Sequence, residues 1–254
     1  MSEFKDIKDK KVLITGASGG IGAGIARLFA SYGACLGIHY CSAKKNAVRL
    51  AEEIKKKGIR IELFQGDLQK PESRNTLVGN FVKKYGRIDV LVNNAGAIYD
   101  YEHFSKLAEK SWDYTFDLNV KAPYYLSAAA FMNMKRNDGG RIINISSANV
   151  KYGGSARSVH YTASKAALEN LTLGFAREGA KYNILVNSIR CGLIATQMHE
   201  KIKGYNEKLF KQRIELIPLK RSGKPIDIAR MVLYLASECG SFITGETFTV
   251  AGGD

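Results

Sequence analysis

The chain has 254 residues, of which 45% are hydrophobic and 24% are charged. This length and composition suit one soluble domain with a full core, and they exclude a disordered chain or a core that depends on disulfides or metal. The formal net charge is +14, but the lysines lie mostly on expected helix surfaces without interleaved aromatic residues, which favours a solvated basic surface over a nucleic-acid-binding face.

No targeting or membrane segment is recognisable in the sequence. Residues 1–11 alternate in charge, and no later segment approaches the ~20 apolar residues that a membrane helix needs. The four cysteines lack a paired spacing and the four histidines are scattered, which predicts free thiols and no metal site. We therefore expect a cytoplasmic protein without a membrane or nucleic-acid partner. Basic residues concentrate at 201–224, where attraction of an anionic substrate or an acidic carrier protein is the alternative to a solvated surface.

Short apolar runs alternate with helical patterns along the chain, which predicts βαβ units and a parallel sheet in one domain, residues 1–254. The predicted strands cover residues 11–15, 34–40, 59–64, 88–93, 141–146, 184–189 and 247–250. The first predicted helix begins near residue 20. The other predicted helices cover residues 43–57, 72–85, 107–136, 158–181 and 226–238. Pro123 is expected to bend or interrupt the longest of these helices. Residues 190–217 contain no predicted strand, and we expect them to form a lid over a ligand.

A glycine-rich segment, Thr-Gly-Ala-Ser-Gly-Gly-Ile-Gly at residues 15–22, follows the first predicted strand and opens the first helix. Gly16, Gly20 and Gly22 lack Cβ atoms there, so a pyrophosphate can approach the backbone. The free N–H groups and the helix dipole favour such an anion. Glycines also serve purely structural turns, but the position after the first strand of a βαβ rhythm favours dinucleotide binding.

The end of the second predicted strand indicates which dinucleotide binds. A carboxylate at this point would hydrogen-bond the adenosine ribose and repel a 2′-phosphate, and the segment His39-Tyr-Cys-Ser42 contains none. Ser42 and Lys44 can instead accept the phosphate, so the sequence favours NADP(H) over NAD(H). The alternative is that Lys44 and Lys45 only face water.

Tyr161 and Lys165 are four residues apart in the predicted helix 158–181, so they lie on one helix face. A tyrosine with its ordinary pKa of about 10 is a poor acid–base group near neutrality, and a neighbouring ammonium favours its phenolate. Tyr40 and Lys44 repeat the spacing by chance. The combination with the glycine-rich turn is what predicts a hydride-transfer enzyme.

Six motifs occur in order along nearly the whole chain and resemble those of the short-chain dehydrogenase/reductase superfamily. They are residues 15–22, Asn93 to Gly96, Asn119, Ser146–Ser147, Tyr161 to Lys165, and Thr244–Gly245. The resemblance implies a Rossmann-type, doubly wound sheet of seven parallel strands in a three-layer α/β/α domain. It also implies a homodimer or homotetramer, with helices 107–136 and 158–181 in the main interface. Within the superfamily, the chain is most similar to the 3-oxoacyl-acyl-carrier-protein reductases.

The resemblance implies catalytic roles for four residues. Tyr161 is the acid that protonates a carbonyl oxygen, or the base in the reverse direction, and Lys165 also binds the nicotinamide ribose. Ser147 hydrogen-bonds the substrate oxygen, and Asn119 holds a water in the proton relay. Strand alternation lets only one of Ser146 and Ser147 point into the site, and the match to the family favours Ser147.

The resemblance also implies a cofactor site at the glycine-rich turn, the ends of the second to fourth strands, the Tyr–Lys pair and the loop after the sixth strand. Its residues are Gly16, Ser18, Gly20, Ile21, Gly22, Tyr40, Ser42, Lys44, Asp67, Leu68, Asn94, Ala95, Gly96, Tyr161, Lys165, Gly192, Ile194 and Thr196.

Two departures from the family pattern affect the loops around the substrate. Cys191-Gly192 stands where the family commonly has Pro-Gly, so the loop is expected to be looser. Thirteen residues separate Ser147 from Tyr161, one more than the resemblance leads us to expect. The pocket is expected to include the side chains Ile98, Ser147, Tyr152, Arg157 and Met198.

We therefore expect an NADPH-dependent reductase that interconverts a ketone and a secondary alcohol, with a 3-oxoacyl thioester as its substrate. Arg136 and Arg177 are candidate contacts to an acyl carrier protein, or alternatively plain surface arginines. A sugar, polyol, steroid or other small alcohol is the alternative substrate, because the expected pocket residues select no single chemistry. A catalytically silent NADP(H)-sensing protein on the same fold is a further alternative, which the intact proton-relay residues disfavour.

Overall fold

A computed structural model of the chain describes residues 4–196 and 206–254, in which seven strands form one parallel sheet. The strands are β1 Lys11–Ile14, β2 Cys35–Tyr40, β3 Ile61–Gln65, β4 Val90–Asn93, β5 Gly140–Ser147, β6 Ile184–Cys191 and β7 Thr247–Val250. They read as continuous apolar runs because strands of a parallel sheet are covered on both faces. The predicted fold class is confirmed.

Helices connect the strands and cover both faces of the sheet. They are α1 Gly20–Ser31, α2 Lys44–Lys55, α3 Pro71–Tyr85, α4 Glu109–Phe116, α5 Ala122–Met134, α6 Val159–Gly179, α7 Glu207–Glu215 and α8 Pro225–Ala236. One apolar layer joins the sheet to α1, α2 and α8, and a second joins it to α3, α5 and α6. The three-layer arrangement follows from these two cores.

The strand order is β3-β2-β1-β4-β5-β6-β7, so the connections reverse direction between β1 and β4. In an open parallel sheet, a crevice forms at the carboxyl ends of the strands where the order reverses, and ligands bind there. The glycine-rich turn leaves the end of β1, and the Asn94–Gly96 segment leaves the end of β4. The topology therefore places both segments at the same crevice.

The predicted helix 107–136 is divided into three parts. After α4, residues Asp117–Lys121 form a π-helical turn in which the Ala122 N–H donates to the Asp117 carbonyl, and α5 follows. Pro123 lies in the first turn of α5 and has no N–H to donate to the Asn119 carbonyl four residues earlier. The expected interruption at Pro123 is confirmed, and it takes the form of a widened turn on the proline's N-terminal side.

Two expectations for residues 190–217 need correction. Arg190 and Cys191 still belong to β6, since they pair with β5 on one side and with Thr249 and Val250 on the other. Helix α7 was not predicted, since only three of its nine residues are apolar and none of them is buried. Residues 197–205, the middle of the expected lid, lie outside the described residues.

Candidate active site

The glycine-rich turn is tied to the end of β4 by a polar network. The Thr15 hydroxyl oxygen accepts hydrogen bonds from the Asn94 and Ala95 N–H groups, both at 3.0 Å. The Asn94 amide donates to the carbonyls of Thr15 at 2.8 Å and Gly16 at 3.1 Å. Gly16 has φ +62°, and a Cβ there would lie 2.9 Å from the Ala95 Cα, so the turn requires glycine. These contacts fix the turn at the crevice.

Helix α1 begins at this turn without a capping side chain. Its N-cap, Gly19, makes no side-chain capping bond, and the first turn contains no acidic residue. The first N–H groups of a helix have no intrahelical partner and, together with the helix dipole, favour an anion. Gly19 and Gly20 are exposed, and Ser18 and Ile21 are half-buried beside them. These residues fit the pyrophosphate of a dinucleotide.

The residues expected to bind the adenosine part of the dinucleotide differ in their exposure to solvent. Ser42 and Lys44 are exposed where α2 begins, and the first turn of that helix contains no acidic residue. Tyr40, in contrast, is buried, and its hydroxyl donates to the Gln65 side chain at 3.3 Å. Asp67 is half-buried and accepts the Gln69 N–H at 3.1 Å as a turn aspartate does. Its neighbour Leu68 packs in the core.

The side chains of Tyr161 and Ser147 lie next to each other at the end of β5. Burial raises the pKa of Tyr161 to about 12, and the neighbouring Ser147 hydroxyl opposes that shift. Ser146 points to the other face, where its hydroxyl donates to Glu169 at 2.6 Å. The structure therefore brings Ser147 to Tyr161 and keeps Ser146 away, as strand alternation requires.

Lys165 lies one helical turn after Tyr161 and is buried, with its Nζ 5.9 Å from the centre of the tyrosine ring. The ammonium donates to the Ile145 carbonyl at 2.8 Å. A Cβ at Gly96 would lie 3.0 Å from the same Nζ, so the lysine reaches the segment after β4. Burial lowers the pKa of Lys165 to about 8, although Cys191 and Glu169 act in the opposite direction.

Asn119 lies in the π-helical turn and is fully buried. Its Oδ1 accepts the Ala97 N–H at 3.0 Å, and its Nδ2 donates to the Ala97 carbonyl at 2.9 Å and to the Ser164 hydroxyl at 3.0 Å. A Cβ at Gly96 would lie 3.1 Å from this Oδ1. Asn119 thus joins the segment after β4 to α6, immediately beside Lys165.

The loop after β6 closes the opposite wall of the crevice. The Gly192 N–H donates to the Val250 carbonyl at 3.1 Å, and Ile194 is buried in a short bridge with Gly223. The Thr196 Cγ2 lies 3.3 Å from the position of a Cβ at Gly20. The loop with Cys191 in place of proline is therefore held by backbone hydrogen bonds and reaches the start of α1.

The expected substrate residues do not all point to one place. Ile98 is half-buried after β4, while Tyr152 is exposed and donates to the Asn149 side chain at 3.0 Å. The Arg157 guanidinium stacks on the Tyr101 ring at 4.7 Å and donates to the Tyr101 carbonyl at 2.6 Å. Arg157 is thus engaged by the loop after β4. Met198 lies outside the described residues.

Three residues that support the site were not among the predicted ones. Thr15 and Ser164 bond the residues described above, and the His39 ring contacts the glycine-rich turn. A polar residue at the end of an apolar strand, directly before a glycine, was a usable signal for Thr15. The contacts of Ser164 and His39 join segments far apart in sequence, so no local pattern marks them.

The family of this chain is shown by its similarity to known proteins, which spans nearly its whole length. A family model described as enoyl-(acyl carrier protein) reductase matches residues 16–254. The 3-oxoacyl-[acyl-carrier-protein] reductase FabG of Staphylococcus epidermidis is 36% identical over 245 residues, which are 96% of this chain and 98% of the relative. This chain belongs to the short-chain dehydrogenase/reductase family. It is an oxidoreductase of alcohol and ketone groups that uses a nicotinamide cofactor.

Solved structures of family members agree with the fold. A blue fluorescent protein from a metagenomic library, in complex with NADPH, has a TM-score of 0.90 and 34% identity and covers 97% of this chain and 98% of its own. The acetoin dehydrogenase YohF of Salmonella typhimurium has a TM-score of 0.86 and 33% identity, with 96% and 95% covered. The resemblance drawn from the six motifs is confirmed.

Two further features bear on the expected partners. Within the described residues, no helix is long and apolar enough to cross a membrane, and no three His, Cys, Asp or Glu side chains group as metal ligands. The outer faces of α4, α5 and α6 expose large apolar side chains. They include Trp112, Tyr124, Tyr125, Met132 and Leu173.

Proposed function

We propose that this family member reduces 3-oxoacyl thioesters with NADPH. The observation that carries the proposal is the Ser147–Tyr161 hydroxyl pair with the Lys165 ammonium beside it, at the crevice where a dinucleotide fits. Two converging hydroxyls suit a carbonyl oxygen that becomes an alcohol. The similarity to a 3-oxoacyl-acyl-carrier-protein reductase supports the thioester as the source of that carbonyl.

The proton-transfer steps follow from the protonation states of these groups. With its pKa raised to about 12, Tyr161 carries its proton at neutral pH and is ready to donate it to a ketone oxygen. Ser147 holds that oxygen in place, and the Lys165 ammonium stabilises the phenolate left after the donation. A nicotinamide held at this crevice would supply the hydride for the carbonyl carbon. The proton and hydride together convert the ketone into a secondary alcohol.

Asn119 and the residues around it would restore the Tyr161 proton. Its side chain is satisfied by Ala97 and Ser164, so the amide is held rigidly next to Lys165. We assign it the positioning of a water behind the lysine. A Cβ at Gly96 would lie 3.0 Å from the Lys165 Nζ and 3.1 Å from the Asn119 Oδ1, so a larger residue would crowd the relay at that point.

The cofactor preference is assigned to the start of α2. Exposed Ser42 and Lys44 offer a hydroxyl and an ammonium at a helix N-terminus, where the dipole also favours a phosphate. The relative that binds NADPH supports the same choice. The remaining cofactor contacts are assigned to the glycine-rich turn, the segment after β4 and the loop after β6.

Lys44→Glu is expected to reverse this preference. A carboxylate at the start of α2 would repel a 2′-phosphate and accept a hydrogen bond from a free ribose hydroxyl, so the ratio of kcat/KM with NADPH to kcat/KM with NADH should fall by about 100-fold. Lys55→Glu, at the other end of the same helix, makes the same charge change and should leave the ratio within about threefold. Equal ratios in the two variants would remove Lys44 from the cofactor site.

We also propose that the protein binds an acyl carrier protein and that it associates with copies of itself. Arg136 and Arg177 are exposed, as contacts to an acidic acyl carrier protein need to be. The apolar outer faces of α4 to α6 support a homo-oligomer, a tetramer by analogy with the family, which we place in the cytoplasm.

The substrate is tested by steady-state reduction with NADPH at pH 7. Acetoacetyl thioesters, a crotonyl thioester, acetoin with its diketone and a panel of sugars are compared by kcat/KM. We expect the 3-oxoacyl thioester to exceed the others by at least about tenfold. A preference for the crotonyl thioester would make the chain an enoyl reductase, and a preference for the hydroxyketone or sugars would assign it to small alcohols. NADPH binding without any turnover would favour the sensor.

A further inference from the structure

His39 occupies the space between the glycine-rich turn and the end of β3. It is the next-to-last residue of β2, and only 2% of it is exposed. Its Nδ1 accepts the Gly16 N–H at 3.2 Å, and its Nε2 lies 3.0 Å from the Gly66 carbonyl oxygen. One imidazole therefore bridges the two loops that follow β1 and β3.

The partners of the ring fix its protonation state. The Gly16 N–H is a donor, so the Nδ1 that faces it must be an unprotonated acceptor. The Gly66 oxygen is an acceptor, so Nε2 carries the proton and donates. A second proton on Nδ1 would point an N–H at an N–H, and the bond to Gly16 would be lost. Only the neutral ring satisfies both loops.

The same contacts control the orientation of the turn. The Gly16 N–H is held by His39, and its carbonyl accepts the Asn94 amide at 3.1 Å. The next N–H, of Ala17, donates to the His39 carbonyl at 2.9 Å. The orientation of the Gly16 and Ala17 peptide groups therefore determines the direction of the N–H groups that follow at the start of α1.

We propose that His39 is a positioning residue for the dinucleotide, an inference that rests on the proposed function. Its neutral ring sets the Gly16 peptide so that the uncapped N–H groups of α1 converge on a pyrophosphate. Residues remote from the chemistry gain affinity in this way, because a site that is already ordered loses less entropy when its ligand binds. His39 itself contacts no reacting atom and acts through Gly16.

The electrostatics around the ring agree with a neutral imidazole. Burial lowers the pKa of His39 from 6.5 to about 4, and the hydrogen bond to Gly66 and the charge of Asp67 oppose the shift. Asp67 is the charged side chain acting on it, and the turn at residues 15–22 contains no titratable side chain. The unfolded chain binds the proton more readily, so the folded state loses stability as the pH falls from about 6.5 to about 4.

Two variants separate positioning from packing. His39→Asn keeps an acceptor, Oδ1, for the Gly16 N–H, whereas His39→Leu fills similar space without one. The dissociation constant of NADPH is measured by fluorescence titration at pH 7.5. We expect His39→Leu to bind at least about tenfold more weakly and His39→Asn to stay within about threefold of the wild type. At saturating NADPH, kcat and the ketone KM should change less than about twofold in both.

Either of two results would overturn the proposal: unchanged NADPH affinity in His39→Leu, or equal losses of affinity in both variants. A wild-type chain that binds no NADPH would refute the proposed function instead. Should His39→Leu not fold, the Tm of wild type and His39→Asn without cofactor still decides, because only the wild type should lose additional Tm between pH 6.5 and pH 4. Parallel Tm curves would exclude the neutral bridging ring.

Discussion

Tyr161→Phe is expected to lower kcat for ketone reduction by about a thousandfold, while the NADPH dissociation constant stays within about threefold. General acid catalysis contributes about 10²- to 10⁴-fold, and the variant removes the hydroxyl that would donate the proton. The phenyl ring keeps the volume, so α6 and the crevice retain their packing. Single-turnover reduction, followed by the loss of NADPH absorbance, measures the chemical step directly.

Tyr32→Phe is the matched control, since it removes a tyrosine hydroxyl at the far end of α1, where the ring packs against Phe4. That variant should keep wild-type kcat within about twofold. Turnover by Tyr161→Phe at more than about a tenth of the wild-type rate would show that another group donates the proton. Unchanged biological function with no turnover would identify the sensor.

Lys165→Met should be nearly as damaging, with a loss of at least about a thousandfold in kcat/KM. The variant removes the positive charge that stabilises the Tyr161 phenolate, and it also removes a contact assigned to the nicotinamide ribose. Both the proton transfer and NADPH affinity are therefore expected to fall, which distinguishes this variant from Tyr161→Phe. Lys83→Met, on the exposed surface of α3, provides the control for loss of a lysine charge.

The pH dependence of the wild type tests the same lysine. Its pKa near 8 means that Lys165 is charged below that pH and loses its proton above it, whereas Tyr161 keeps its own proton up to about pH 12. The kcat/KM for reduction reports groups of the free enzyme. It should fall as the pH rises above about 8. A profile that stays level to pH 10 would contradict the pKa of Lys165.

The rhythm of strands and helices was readable in the sequence because each buried parallel strand is a continuous apolar run. Strand ends were less accurate, since they depend on neighbouring strands. β6 extends to Cys191 because Thr249 and Val250 pair with its last residues. β4 begins only at Val90, after Asp89, whose carboxylate accepts the Lys11 N–H at 2.7 Å.

The residues of the candidate site likewise fall into those that the sequence predicted and those that it did not. The residues proposed to carry the chemistry lie at the ends of neighbouring strands or one helical turn apart, so motif and topology together predicted that they would meet. Ser164 and His39 form contacts across 45 and 23 residues of sequence, and no local periodicity marks such pairs. Arg157 was predicted for the pocket, yet its stacking on Tyr101 depends on a loop conformation that composition does not determine.

The π-helical turn at Asp117–Lys121 has a consequence for how this enzyme can change. A π turn contains one residue more than an α turn, and each residue rotates a helix by about 100°. Deleting one residue here would favour a regular helix, but it would turn the faces of α4 and α5 relative to each other. Asn119 would leave Lys165, and the exposed aromatic side chains Trp112 on α4 and Tyr124 on α5 would change their orientation relative to each other. The length of this turn thus couples the proposed proton relay to the apolar surface proposed for self-association, and an insertion or deletion here would affect both at once.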